Sequence, residues 1–170
     1  MRSLGLAVVV LFGLASSFAP TVAGAQDYPS KPVRVIVAFP PGSATDIVTR
    51  VVAQKLAEHL GQPFVVENRG GAAGNLGAQL VAKAVPDGYT ILSTSSAFAI
   101  NLSLYATPGY AAKEFVPIAR TGATPGVITV HPSLPAKSLR ELFDLAKTQP
   151  LSYASAGTGT GGHILMEWLK

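Results

Sequence analysis

The chain of 170 residues contains no cysteine. This absence excludes disulfides, thiolate metal ligands and cysteine nucleophiles, together with the lipid-modified cysteine that anchors some exported bacterial proteins to a membrane. Charged residues are scarce as well, since they make up 13% of the chain and give a formal net charge of +4. So sparse a charge predicts no basic face, and we therefore expect no nucleic-acid partner. The hydrophobic fraction of 48% excludes a disordered chain.

Motifs for catalysis and for cofactors are missing from the sequence too. There is no G-x-x-x-x-G-K-[ST] phosphate loop, no G-x-S-x-G nucleophile elbow and no His/Asp/Glu cluster with metal-ligand spacing. Residues 157–162 formally match G-x-G-x-x-G, but without an acidic residue about 20 positions later the match carries little weight. We expect no metal, no cofactor and no catalytic residue; an enzyme would have to use Asp46 or His163.

The first 25 residues have the features of a secretory signal peptide. Arg2 gives a positive start, residues 4–14 are an apolar run, and residues 23–25 (Ala-Gly-Ala) are the small residues of a cleavage site. A membrane anchor is the alternative, because no charge follows Arg2 within this segment. The strongly apolar stretch is, however, shorter than the ~20 residues that a spanning helix needs. We expect cleavage after Ala25 and a soluble periplasmic protein.

Short apolar runs then alternate with amphipathic stretches. Residues 33–39 are a nearly continuous β-branched run, typical of a strand buried on both faces of a parallel sheet. Apolar residues next recur at spacings of three and four, which predicts a helix that Ser43 or Thr45 caps and Gly61 ends. Residues 64–67 form the next predicted strand. This order predicts a right-handed β-α-β unit and an α/β fold.

The pattern repeats once and then changes. The glycine-rich segment 68–74 leads into a helix that we expect Asn75 to cap, and residues 90–93 are the third predicted strand. The later elements are strands at 116–120, 127–130 and 151–154, a helix with a capping box from Ser138 through Lys147, and a helix from His163 to Lys170. The change in composition predicts a first α/β lobe over residues 26–115 and the start of a second over 116–170.

The last predicted helix has an apolar face with no sequence after it, although a glycine-rich loop and a helix ordinarily lead on to another strand. We interpret the chain as C-terminally truncated. The alternative is a small domain whose last helix packs on the sheet. A truncated chain would expose apolar surface, so we expect it to be poorly stable and prone to aggregation.

Polar loops follow the predicted parallel strands, and open α/β sheets bind ligands at these strand ends. The loops span residues 40–46, 68–75 and 93–96, and a further glycine-rich loop spans 155–162. Free N–H groups at the start of a helix, together with its dipole, bind carboxylate or phosphate without Lys or Arg. Ordinary turn chemistry explains any single loop equally well. Together, the loops favour a site for a small anion.

Several motifs resemble those of one protein family, in order from Tyr28 to the last residue. They are Tyr28-Pro-Ser-Lys-Pro32, Val37-Ala-Phe-Pro-Pro-Gly42 with Thr45-Asp46, Val66-Glu-Asn-Arg69, Gly71-Ala-Ala-Gly-Asn-Leu-Gly-Ala78, Pro86-Asp-Gly-Tyr-Thr90, Asn101 with Leu104-Tyr105, His131-Pro-Ser133, and Tyr153-Ala-Ser-Ala-Gly157 with His163. With these motifs the chain resembles the periplasmic substrate-binding proteins of tripartite tricarboxylate transporters, the Bug receptors.

The resemblance implies a two-lobed Venus-flytrap receptor of the type II periplasmic-binding-protein fold, without catalysis. A small carboxylate would be held between the lobes by loop amides, small polar side chains and bridging waters. The implied contacts are Pro41, Gly42, Ser43, Thr45, Asp46, Gly74, Asn75, Ser93, Thr94 and Ser95 in the first lobe, and Ala156, Gly157, Thr158 and His163 in the second. Membrane transporter subunits would be the protein partners, lobe closure would be their signal, and we expect a monomer.

The sequence departs from the family pattern in two ways. Ser43 stands where the first loop of the family, P-G-G-x-x-D, usually has its second glycine. If that position needs a positive φ, serine costs about 1 kcal/mol or more; otherwise its hydroxyl adds a contact. Full-length relatives also continue well beyond Lys170. The alternatives to a receptor are a secreted α/β enzyme and a non-functional fragment of the receptor.

Overall fold

The computed structural model describes residues 28–123 and 125–170. The predicted signal peptide and its cleavage site lie outside the described residues. Every helix within the described ranges is too short or too polar to cross a lipid bilayer.

The described elements alternate between strands and helices in the first two thirds of the chain. In order they are β1 (Val33–Val37), α1 (Ala44–Leu60), β2 (Phe64–Asn68), α2 (Asn75–Ala82), β3 (Thr90–Ser93), α3 (Ala97–Leu104), α4 (Leu139–Thr148) and α5 (Gly161–Leu169). Short 3₁₀ turns at Ala72–Gly74 and Ala112–Glu114 precede α2 and follow α3. The division into lobes at residue 115 stays a prediction.

The strands form one parallel sheet in the order β2-β1-β3. The β-branched run of β1 occupies the centre, where Val33, Ile36 and Val37 are completely buried, as the sequence predicts. Val37 lies opposite Asn68 on one side and opposite Ser93 on the other. The three strands therefore end at one edge of the sheet, and the loops that follow them start side by side.

Local sequence signals set the ends of α1. The Ser43 hydroxyl accepts a hydrogen bond from the backbone N–H of Asp46, and Gly61 ends the helix with a left-handed φ of 69°. Both predicted caps are confirmed. Ser43 itself has a φ of −67°, so serine occupies this position without strain, and it is Gly42 that has the positive φ of 79°.

One prediction about the next helices is wrong, and one helix was missed. Asn75 does not cap α2, because Gly74 with a φ of 96° holds the capping position and Asn75 is the first helical residue. Helix α3 was not predicted, since its sequence AFAINLSL is mostly apolar and its polar residues Asn101 and Ser103 do not form one polar face that would give a helical period.

The predicted strands at 116–120, 127–130 and 151–154 are wrong as well, because these segments have no strand structure. A strand is stable only beside a partner, and no described residue pairs with them. Val116 and Val127 are accordingly 87% and 80% exposed. The flanking helices α4 and α5 are confirmed.

Candidate functional site

Asp46 is the most connected side chain at the edge where the strands end. Its carboxylate accepts hydrogen bonds from the Arg50 guanidinium at 3.1 Å, from the Gly42 N–H at 2.9 Å and from the Asn68 amide at 2.8 Å. These donors, Arg50 first, lower the pKa of Asp46 to about 2 from its ordinary 3.8. The side chain is 4% exposed. Asp46 therefore stays ionised at neutral pH and ties the loop of residues 40–46 to β2.

The start of α1 leaves backbone donors free. The amides of Gly42, Ser43 and Asp46 are all taken up inside the loop. The N–H groups of Ala44 and Thr45 have no acceptor among residues 28–123 and 125–170. They lie in the first turn of a helix, where the helix dipole favours a negative charge.

The loop after β3 offers a second set of donors. Ser95 accepts a hydrogen bond from the Ala97 N–H through its hydroxyl, at 3.3 Å, and so fixes the start of α3. No acceptor in the described part of the chain takes the amides of residues 94–96. The Ser93 hydroxyl lies 2.6 Å from the Thr49 hydroxyl on α1. This contact joins the loop after β3 to the helix that follows the loop of residues 40–46.

The loop between β2 and α2 has an unusual backbone. Gly71, Ala72, Ala73 and Gly74 all have positive φ angles, from 47° to 131°. The alanines are in the left-handed region, which costs of order 1 kcal/mol for a residue with a Cβ. Their loop is buried at Gly74 and Asn75, and the Asn75 side-chain oxygen accepts a hydrogen bond from the Asn101 amide at 2.7 Å.

The glycine-rich loop before α5 lies against α3. The Tyr105 hydroxyl donates to the Thr158 carbonyl at 3.2 Å, and a Cβ on Gly161 would meet the Ser96 hydroxyl at 3.3 Å. The Thr160 hydroxyl caps α5 by accepting from the His163 N–H. The structure thereby brings this loop next to the end of β3.

The same segment also contains further backbone N–H groups and a histidine whose Nδ1 already accepts a hydrogen bond. No acceptor within the described ranges takes the N–H groups of Gly161 and Gly162. The Gly159 N–H donates to His163 Nδ1 at 3.4 Å. A neutral His163 ring with Nδ1 as acceptor has its proton on Nε2.

The predicted site residues fall into two groups. Those that are exposed or half-buried are Pro41, Gly42, Ser43, Thr45, Ser93, Thr94, Ser95, Ala156, Gly157, Thr158 and His163. Asp46, Gly74 and Asn75 are buried, and both polar side chains among them hold other residues in place. The structure thus divides the predicted set into residues that a solute can reach and residues that support them.

Sequence reasoning missed several residues of this edge. The free amides of Ala44, Gly161 and Gly162 have no signature in the side chain. Arg50 could have been found, because it follows Asp46 by four residues on one helix face. Asn101 had no such signal, since its partners come from a distant loop.

Comparisons with known proteins agree with this architecture. Residues 48–170 match the family described as tripartite tricarboxylate transporter family receptor. The chain is 40% identical over 167 residues to Protein BugT of Bordetella pertussis, an alignment that covers 95% of this chain and 51% of BugT. The chain spans about half the length of the curated relatives it matches.

Solved structures give the same result. The periplasmic binding protein BugD is 35% identical with a TM-score of 0.70, over 84% of this chain and 48% of BugD. Rpa4515 of R. palustris, solved with adipate, is 37% identical with a TM-score of 0.75, over 84% of this chain and 49% of Rpa4515. The predicted periplasmic-binding-protein fold is confirmed. The chain belongs to the tripartite tricarboxylate transporter receptor family.

Proposed function

We propose that this protein is a periplasmic solute receptor that captures a small carboxylate for a tripartite tricarboxylate-type transporter and catalyses no reaction. The observation that carries the proposal is a set of backbone N–H groups where the parallel strands end, at Ala44, Thr45 and residues 94–96, which have no acceptor among the described residues. Such amides at a helix start bind an anion through hydrogen bonds and the helix dipole. The adipate in the similar Rpa4515 structure supports a carboxylate as the anion.

Charge at the site agrees with recognition through the backbone. Arg50 is the basic side chain on the first turns of α1, and it is committed to Asp46 and Asn68. Because the main chain would hold the ligand, Arg50 would keep its hydrogen bonds to Asp46 and Asn68 when the ligand binds. We assign Asp46 and Asn75 to support of the loops, Ser93 to its hydrogen bond with Thr49, and the other accessible residues of the predicted set to the ligand.

The second glycine-rich loop adds donors to the same proposal. The amides of Gly161 and Gly162 lie at the start of α5, close to Ser96. His163 offers its Nε2 proton in the tautomer that its contact with Gly159 favours. A dicarboxylate has an anionic group at each end, so one group at α1 and β3 and one at α5 would use both sets of donors.

The absence of catalysis is supported by the state of Asp46. Three donors occupy its carboxylate, and its pKa of about 2 is far below neutral pH. An effective general base has a pKa near the working pH. An enzyme would therefore have to use His163, the other candidate for a catalytic residue.

A proline substitution tests the amide directly. Ala44 is the first residue of α1, where proline is well tolerated and removes only the N–H. The preceding Ser43 is already extended, with a ψ of 157°, as a residue before proline prefers. Leu139→Pro is the matched control, since Leu139 is the first residue of α4 after an extended Ser138 and lies beside Ile128, Val130 and Leu142, which do not belong to the candidate site.

We expect succinate, glutarate or adipate to raise the unfolding temperature of the wild-type chain, since a ligand at 100 times its Kd stabilises by about 2.7 kcal/mol. Ala44→Pro should weaken the binding at least about tenfold, because a hydrogen bond to a charged group contributes about 1.5–3 kcal/mol. Leu139→Pro should bind as the wild type does. Equal binding by both variants would contradict the role of the α1 amides, and conversion of the carboxylate would favour an enzyme.

A further inference from the structure

Helix α3 contacts both glycine-rich loops of the candidate site through one buried side chain. The first loop is residues 71–75 and the second is residues 157–160. Asn101 is completely buried. Its side-chain amide donates to the Ala73 carbonyl at 3.2 Å and to the Asn75 side-chain oxygen at 2.7 Å. Asn101 belongs to a motif, with Leu104 and Tyr105, that has no part in the proposed contacts with a ligand.

The two hydrogen bonds hold a loop that is strained on its own. Ala72 and Ala73 are consecutive left-handed residues, with φ angles of 47° and 53°. Such a conformation persists only where neighbouring groups determine it. Asn101 supplies this restraint, since it anchors the Ala73 carbonyl and the first residue of α2 at the same time.

The other end of the Asn101 side chain faces the second loop. Its oxygen is buried and has no hydrogen-bond partner in the described part of the chain. A Cβ added to Gly159 would overlap with this oxygen and would also meet Leu104 Cδ2 at 3.2 Å. Tyr105, one turn further on, holds the Thr158 carbonyl. The second loop therefore packs directly against Asn101, the residue that restrains the first loop.

We propose that Asn101 is a positioning residue that couples the 71–75 loop to the 157–160 loop, so that a displacement of one changes the other. Its effect on a ligand rests on the proposed function, because the loops bind the carboxylate and Asn101 does not touch it. The contacts of Asn101 exist without a ligand, so the coupling itself is measurable in the ligand-free chain.

The coupling is tested from the second loop towards the first. Gly159→Ala places a methyl group against the Asn101 oxygen, whereas Gly157→Ala, at a glycine of the same loop that also has a positive φ, meets nothing within 4 Å. The reporters are the amides of Gly74, Asn75 and Leu76, which hydrogen-bond inside the first loop. Their hydrogen exchange is followed by NMR. The Val33 and Arg34 amides, bonded at the opposite end of the sheet, report global opening.

We expect Gly159→Ala to accelerate exchange at the first-loop reporters at least about tenfold relative to Val33 and Arg34. The free energy lost with one buried hydrogen bond corresponds to about a tenfold change in the opening equilibrium or more. Gly157→Ala, which strains the same loop without meeting Asn101, should accelerate exchange at these reporters much less than Gly159→Ala. In an Asn101→Ala background the overlap with the side-chain oxygen is gone, so Gly159→Ala should add no further acceleration. Equal acceleration in both backgrounds would overturn the coupling through Asn101, as would unchanged exchange in Gly159→Ala.

Asn101→Ala alone keeps the test decisive if Gly159→Ala fails to fold. It should accelerate exchange at Gly74 and Asn75, and also at Thr160, whose N–H donates to the Gly157 carbonyl at 3.1 Å. Acceleration confined to one loop would overturn the proposal. Failure of the wild-type chain to bind carboxylates would contradict the proposed function and leave these exchange results as they stand, so the two failures are distinguishable.

Discussion

Ser93 donates its hydroxyl proton to Thr49. Thr49 Oγ1 lies 2.6 Å from the Thr45 carbonyl and 2.6 Å from Ser93 Oγ. A carbonyl cannot donate, so the Thr49 proton goes to Thr45, and the proton between the two hydroxyls comes from Ser93. The Ser93 oxygen is then able to accept a further hydrogen bond but unable to donate one to an ionised carboxylate.

Replacement of Thr49 by valine should therefore improve carboxylate binding. The substitution keeps the shape of this buried side chain and removes the acceptor, which releases the Ser93 proton for a ligand. We expect Thr49→Val to bind succinate more tightly than the wild type, by up to about tenfold, as measured by calorimetry. Ser93→Ala should lose less than about threefold, and the double variant should lose the gain. A large loss in Ser93→Ala alone would show that Ser93 donates to the ligand.

Asp46 should make the stability of the chain dependent on acid pH. Its pKa lies at about 2 in the folded protein against an ordinary 3.8, so its contribution is complete above pH 3.8 and is lost as the pH falls through about 2. Asp46→Asn should lower the unfolding free energy at pH 6, and the difference from the wild type should shrink below pH 3.8. Denaturant titrations between pH 2 and 6 measure it. A difference that is constant over this range would contradict the ionic role of Asp46.

Glu67→Gln is the matched control for that substitution. Arg34 first, then Arg69, lower the pKa of Glu67 to about 2 from an ordinary 4.5, but these partners do not belong to the loop of residues 40–46 that Asp46 anchors. Both variants should therefore flatten the acid dependence of stability, whereas only Asp46→Asn should weaken succinate binding. Equal losses of binding in the two variants would indicate a general electrostatic effect instead of a loop anchored by Asp46.

Gly77 should be intolerant of any side chain, because α2 approaches β1 closely at this point. A Cβ there would lie 2.9 Å from Ala38 Cα and 2.9 Å from the Arg69 carbonyl oxygen. Both contacts are backbone atoms that cannot rotate away. We expect Gly77→Ala to cost about 1–3 kcal/mol of stability, measured by urea unfolding, with Gly162→Ala as the unstrained control. An alanine tolerated without loss would mean that α2 sits further from the sheet.

Elements specified by short-range patterns were predictable from the sequence. The β-branched run gave β1, and Ser43, Gly61 and Ser138 gave helix ends that depend on residues within four positions. The strands expected at 116–120 and 127–130 needed a neighbouring strand, which a local pattern cannot supply. Prediction therefore succeeded where the stabilising partner is near in sequence.

The same distinction explains what was predictable about the site. Strand-end geometry predicted that the loops after the strands start side by side, and the register of the sheet shows that they do, since parallel strands bring their carboxyl ends together. The supporting contacts were hidden because they join distant residues: Asn68 lies 22 residues from Asp46, and Asn101 lies 26 residues from Asn75. Sequence patterns thus indicated which backbone could meet a ligand, and the structure was needed to find which side chains hold that backbone in place.

Gly161 separates the role of a backbone N–H from that of space in the second loop. It is the first residue of α5, and the preceding Thr160 is extended with a ψ of 158°, so proline fits the backbone. Gly161→Ala adds the same Cβ, which meets only the Ser96 hydroxyl at 3.3 Å, and keeps the N–H.

We expect Gly161→Pro to bind adipate at least about tenfold more weakly than Gly161→Ala, because only the proline removes a donor to a charged group. Unfolding temperatures of the two ligand-free variants should agree, since this amide has no acceptor in the described part of the chain. Calorimetric titration with acetate provides the further comparison. If a dicarboxylate uses both loops, acetate binding at α1 should be the same in the two variants. Equal adipate affinities would restrict the carboxylate site to the loops after β1 and β3.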